Sequence, residues 1–161
     1  MFKTSFRLWL FLVIIVTIIQ TGCLYSLCMM VFDRNNVDLF EILLLCFFVL
    51  FWIWLFFGEL HTKAIIVTLE SETISKRGFL GLAPERKYSL HEFEGFITCS
   101  VPAKGGEYEY LYLIKNGKKV IKLSEFYHSN YDQIKEEIRQ RLKPLGKEQF
   151  SYISEFKEIF M

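Results

Sequence analysis

Cysteine is scarce in this chain and poorly spaced for chemistry. Of the four, Cys23, Cys28 and Cys46 fall in strongly apolar stretches, and Cys99 stands alone in the more polar remainder. No CxxC pair occurs, which argues against a zinc ribbon or a dithiol redox motif and fits four small apolar side chains in a reducing compartment. Histidine is as sparse: His61, His91 and His128 lie far apart, with no converging cysteine or carboxylate spacing for a metal. There is no GxSxG elbow. There is also no glycine-rich loop ending in GK[ST], and Gly105-Gly106 reads as a hairpin tip instead. Nor does one sign of charge prevail. From Glu59 onward sixteen Lys/Arg stand against fifteen Asp/Glu, whereas a general nucleic-acid binder would carry a strongly basic face. The expectation is a protein without catalytic residues, cofactor or metal.

What the chain has in excess is apolar length. Leu8 to Val31 is 24 residues without a formal charge. At about 1.5 Å per residue it crosses a hydrocarbon core of about 30 Å with some tilt. Leu39 to Phe57, "LFEILLLCFFVLFWIWLFF", carries only Glu41, near its start, where an acid can sit at an interface. The residues left over are too few to wrap two helices that are apolar all round. The short polar link "FDRNNVD", Phe32 to Asp38, makes the two spans an antiparallel hairpin. Lys3 and Arg7 precede the first span, Arg34 alone sits in the link, and Lys63, Lys76 and Arg77 follow the second. That bias predicts a multi-pass protein of the inner cell membrane with both termini cytoplasmic.

"TIIQTGCLYSLCMM", Thr17 to Met30, admits a second reading, a lipoprotein signal cut before Cys23. Two features oppose it: Gln20 stands where such sites favour a Leu-like residue, and the apolar run continues past the cysteine instead of giving way to a polar tether. In the uncut helix Thr17 and Thr21 lie four apart, as do Gly22 and Ser26. This small-xxx-small spacing lets helices approach closely, and Gln20 can turn inward to hydrogen-bond a partner. These five residues are the expected packing face, against the second span or another copy.

Beyond His61 the period changes. "HTKAIIVTLE", "TISKRGFLG", "ERKYSLHEF", "GFITCSV", "YEYLYLIK" and "KKVIKLS" read as about six strands, with Asn116-Gly117 a two-residue hairpin turn between the last two. One amphipathic helix follows. Ser129 or Asn130 can cap it, Tyr131, Ile134, Ile138 and Leu142 share a face, and Pro144 and Gly146 end it. In "KEQFSYISEFKEIFM" the side chains of Phe150, Ile153, Phe156 and Phe160 fall roughly along one face. That predicts a helix packed on the domain or a partner, or else one lying on a membrane surface.

The stretch from about His61 to Leu142 resembles the bacterial pleckstrin-homology-like domain, often found after two membrane spans. The matching letters are "VTLESETISKRGFLG", "YSLHEF" and "SEFYHSNYDQIKEEIRQRL"; Tyr88 and His91 replace a commoner Trp and Asp. The resemblance implies an α+β chain: a two-helix transmembrane hairpin (1–58), then a PH-like antiparallel split β-barrel with a capping helix (59–146), then an amphipathic segment (147–161). It implies an adaptor or sensor module and no enzyme; the function expected of such a domain here is a protein-binding scaffold. It carries no implication of phosphoinositide binding.

The candidate site is basic. Lys76 and Arg77 end one strand, Arg86 and Lys87 open the next, and the loop between them carries Phe79, Leu80 and Leu82. If the strands pair, four cations surround apolar tips, a lip that could meet a partner or anionic headgroups at about 1 kcal/mol per cation. Protein binding or self-association is the first expectation, an anionic-lipid-responsive module the second, and a small immunity or resistance protein a third that only gene neighbours could decide.

Overall fold

The computed structural model describes residues 2–33, 37–103 and 106–158. Arg34 in the link, Gly105 at the hairpin tip and Phe160 lie outside the described residues. The chain is α+β: two apolar helices, then two sheets built mainly of antiparallel strands. Helix α1 runs Leu8–Phe32 and α2 runs Leu39–Ile53, the latter continuing without a break as a π-helical segment, Trp54–His61. Both helices are long and apolar enough to cross a membrane, and their most apolar windows are only 17% and 6% buried. A core helix of a soluble domain would be largely covered, so these are not core helices.

The first sheet has the order β1-β2-β3-β4 (Phe2–Lys3, Ile66–Leu69, Thr73–Arg77, Arg86–Ser89). The second has the order β7-β6-β5-β8 (Lys118–Ser124, Gly106–Lys115, Gly95–Ala103, Pro144–Gln149). Helix α3, Tyr131–Arg141, lies between β7 and β8, and α4, Tyr152–Glu158, follows. The six strands expected from His61 onward are all present. Two more were not expected. β1 lies in the segment read as the start of the membrane hairpin. β8 runs parallel to β5 and straddles position 146, where the domain was read to end.

Alternation divides the second sheet. Leu111, Leu113, Ile121 and Leu123 point to one face and join Ile65, Val67, Leu69 and Ile74 of the first sheet in the main core. Tyr131, Ile134 and Ile138 of α3, with Leu142 just after it, close that core, the residues whose spacing marks the expected apolar face. Each fully buried Ile or Leu contributes about 1.5–3 kcal/mol. On the opposite face Tyr110, Tyr112 and Ile114 of β6 gather with Cys99, Ile97, Val101 and Phe150 in a smaller cluster. The two sheets share no strand and form no closed barrel among the described residues. Lys76 links them at one corner, its Nζ donating to the Val120 carbonyl at 2.9 Å.

Two turns need glycine. Asn116 and Gly117 both have positive φ (52° and 68°), as the Asn-Gly hairpin between β6 and β7 requires. Gly95 opens β5 at φ 153°, and a Cβ there would come within 2.3 Å of the Lys143 carbonyl oxygen. This close approach lets the chain leaving α3 pass beside β5, where Phe96 donates its N–H to the same carbonyl.

Candidate functional site

The candidate site is the junction between the apolar hairpin and the two sheets. It is built first from the chain's start. Thr4 exchanges two bonds with Val67, accepting its N–H through Oγ1 and donating its own N–H to the carbonyl, each at 2.9 Å. Asn130, expected to cap α3, clamps the first strand instead: Oδ1 accepts the Ser5 N–H at 2.8 Å and Nδ2 donates to the Lys3 carbonyl at 2.7 Å. Arg7 donates its N–H to Tyr127, and Phe6 pairs with His128 in a single bridge. The residues before α1 are therefore part of the sheet domain.

His128 is fully buried beneath this strand. Its Nε2 lies 3.0 Å from the Ile65 carbonyl oxygen, and Nδ1 lies 2.8 Å from the Ser124 carbonyl oxygen and 3.2 Å from the Ser124 backbone nitrogen. Burial lowers its proton affinity, and the carbonyls of Ile65 and Ser124 oppose that only in part.

Around it an apolar cluster joins all the parts. Leu10 of α1, Leu60 of the π-helical segment, Ala64 and Tyr127 are buried together, with Phe6, Phe79, Leu80 and Phe126 against them. Phe79 also meets Phe56, ring centroids 5.0 Å apart. The loop holding these two side chains is conformationally costly. Phe79, Leu80 and Gly81 take φ of 51°, 58° and 90° in succession, and left-handed non-glycine residues cost about 1 kcal/mol or more each. The Leu80 N–H donating to the Ala64 carbonyl at 2.8 Å helps hold them there.

This loop is the tip of the predicted basic lip, and β3 does pair with β4, Lys76 opposite Arg86 and Ser75 opposite Lys87. The side chains then part company. Lys76 turns inward to Val120, and burial together with the nearby Arg86 lowers its pKa. Phe79 and Leu80 face the hairpin. Arg77 and Lys87 flank Glu85 at 3.4 and 3.9 Å, and Ser75 and Arg77 draw that carboxyl below its usual range. Arg86 and Leu82 are exposed, Leu82 at 78%. An outward surface thus remains at Arg77, Leu82, Arg86 and Lys87, beside the end of the apolar hairpin.

Within the hairpin, Gln20 is buried and donates to the Phe48 carbonyl at 3.3 Å, while Trp52 donates to Thr21 Oγ1 at 2.9 Å. Thr17 is buried and returns its hydroxyl to Val13. Gly22 and Ser26 are exposed, and nothing lies within 4 Å of a Cβ built on Gly22. Of the two small-xxx-small pairs, one packs the hairpin and the other faces outward.

On the far side of the junction lies a charge network. Glu59, at the end of the second apolar helix, accepts from Lys63 at 2.7 Å and from the Tyr127 hydroxyl. Lys63 also pairs with Glu155 of α4 at 2.9 Å, and Glu155 with Lys122 of β7 at 3.3 Å. The Lys63 and Lys122 side chains are only 7% and 8% exposed, and Lys122 lies 4.2 Å from the Tyr110 ring centre. Burial alone would weaken the Lys63 ammonium. Glu59, Tyr110 and Glu155 outweigh it and raise its pKa. Burial likewise works against the Glu155 carboxylate, but Lys63 and Lys122 prevail and lower its pKa. Burial pushes the Tyr110 hydroxyl up to about 12 despite Lys63. The two lysines and two carboxylates balance, as buried charges must. Only the clustering of Glu59 and Lys63 just past an apolar run could have hinted at this, because their partners lie far along the chain.

An open cleft lies elsewhere, at the β2–β3 turn and the end of α3. Its volume is about 630 Å³, and Glu72, His91, Glu94, Arg141 and Lys143 are among its lining residues. Among the described residues no group of His, Cys, Asp and Glu is placed to hold a metal ion. No protein-family model, curated protein or solved structure matches this chain.

Proposed function

We propose that this is a non-enzymatic integral membrane protein in which a PH-like domain is mounted on a two-span hairpin and serves as a protein-binding scaffold on the cytoplasmic side. The observation that carries the reading is the clasped junction. Strand β1, the exit of α2, the loop at Phe79–Gly81 and the Glu59–Lys63 network all bind the domain to the hairpin's end. Such a mount fixes the domain's orientation to the bilayer, which suits presentation of a surface to a partner. Two small meanders followed by a core-closing helix agree with the PH-like reading, with β1 and β8 as additions at the sheet edges. The side chains gathered at the junction pair mainly with one another, an arrangement suited to holding parts together.

The outward lip favours one other reading. Arg77, Arg86, Lys87 and exposed Leu82 lie beside the hairpin's end, where anionic headgroups would be within reach. Photocrosslinking from the domain surface of the full-length chain in native membranes separates the two. Discrete protein adducts that survive Arg77→Glu, Arg86→Glu and Lys87→Glu support the scaffold. Lipid adducts alone, lost on the same reversals, favour the headgroup reading, and no discrete adduct of either kind contradicts both.

A further inference from the structure

The end of the chain sits on the domain much as a bound peptide would. β8 adds to the free edge of β5 in parallel register, Phe96 opposite Pro144 through Ser100 opposite Gln149. Phe150 then packs on the outer aromatic face with Cys99, Tyr110 and Tyr112. Five residues on, the Glu155 carboxylate lies between the buried Lys63 and Lys122. Glu155 is carried there by α4, so the resident is a strand followed by a helical turn, seated on a strand edge, an aromatic niche and a carboxylate slot; addition of a strand to an open edge is an established mode of peptide recognition.

Apart from Phe150 and Glu155, the occupant is largely open to solvent. All six residues of β8 are exposed, and Tyr152 and Ile153 are 74% and 71% exposed. The tail also leaves part of the groove unused, for β5 continues to Ala103 while its pairing with β8 stops at Ser100. A tail tethered in cis has an effective concentration in the millimolar range, so a competitor must add contacts. The uncovered end of β5 offers them to a longer segment.

We propose that this face of β5, β6 and β7 is a peptide-docking groove whose resident tail is displaced by a segment of a partner protein that adds as a strand and then turns into a helix, bearing an aromatic residue at the turn and, about five positions later, an acid. The inference rests on the scaffold reading and names its surface. Charge complementarity selects the partner: a carboxylate restores the balance that the departing Glu155 leaves at Lys63 and Lys122, and a basic or neutral segment does not.

The test uses the full-length chain in detergent micelles and a fluorescent peptide of residues 144–158. A Phe150→Ser/Glu155→Gln chain, its fold checked by thermal unfolding, should bind the peptide at least tenfold more tightly than the wild type. The same peptide with its glutamate changed to lysine should bind at least tenfold more weakly. Equal binding to both chains, or indifference to the glutamate, overturns the proposal. Amide exchange on the wild type gives a second reading that needs no variant. The amides of Lys147 to Gln149 should exchange at least tenfold faster than those of β6, and exchange in step with β6 makes the tail a fixed strand. Chains that trade tails into dimers make a second copy the occupant and overturn the choice of partner. Crosslinked partners unaffected by excess peptide would overturn the groove and leave the scaffold standing, whereas failure to crosslink any partner counts against the scaffold itself.

Discussion

Replacing Lys63 by methionine removes one ammonium and keeps nearly the same side-chain length. In the wild type that ammonium lies 2.7 Å from Glu59 and 2.9 Å from Glu155. The variant leaves Glu59 with only the Tyr127 hydroxyl among the partners described above, and leaves Glu155 with Lys122. Breaking a buried ion pair from one side costs about 3–5 kcal/mol. The two carboxylates retain 14% and 23% exposure, so water can solvate them in part, and about 3 kcal/mol is expected. For a chain of this size that lowers Tm by roughly 6–12 °C, measured by tyrosine and tryptophan fluorescence on the full-length protein in micelles. Adding Glu59→Gln removes the stranded charge as well, so the double variant should recover at least half of the loss. The coupling between the two positions should exceed about 1 kcal/mol. A Lys63→Met Tm within 2 °C of wild type, or strictly additive single losses, would refute the network.

Four further outcomes follow from the structure. Gly95→Ala drives a Cβ against the Lys143 carbonyl oxygen in a backbone conformation that side chains rarely adopt. It should cost more than about 2 kcal/mol and speed amide exchange across the β5–β8 pair before that across β6–β7. His128 is held neutral with its pKa lowered by burial, so the unfolded chain binds the proton first. Its contribution is whole above about pH 6.5, the unfolded value, and falls as pH drops below that. Chemical denaturation from pH 7.5 to 5 should show the decline, and His128→Gln should flatten it. Glu155, whose pKa is lowered, contributes stability that is present above its unfolded value and lost only nearer pH 4. Asn130→Ala removes both clamps on the first strand at about 0.5–1.5 kcal/mol each, and the Thr4 amide should then exchange at least tenfold faster while those of β6 are unchanged.

Periodic segments were readable from the sequence because their own residues carry the reason for their structure. The two apolar runs, the six strands from β2 to β7, the Asn-Gly turn and the buried face of α3 all repeat with the period of the element they form. The two edge strands carry no such signal. "FK" is too short to alternate, and its lysine read as a flanking charge. "PLGKEQ" contains proline and glycine and no inward-facing apolar pair; it is a strand because β5 offers it an edge. The pairing of β3 with β4 is the condition on which the basic lip rests, and it is met, yet nothing in the letters says that Lys76 turns inward or that Phe79 and Leu80 face the hairpin. Those directions follow from the left-handed turn at Phe79–Gly81 and from Phe56 lying opposite. The network of Glu59, Lys63, Lys122 and Glu155 spans most of the chain in sequence, so no local pattern could reveal it.

In the proposed topology a two-span hairpin carries the sheet domain on one face of a membrane and its short link on the other. Single cysteines at Asp33 and Glu72, placed in a chain whose four native cysteines are replaced by serine or alanine, test it directly with an impermeant maleimide on sealed vesicles. The account predicts opposite accessibility, Asp33→Cys labelled from one side only and Glu72→Cys only from the other. Labelling of both from the same side, or a chain that does not remain with the vesicles, would contradict it.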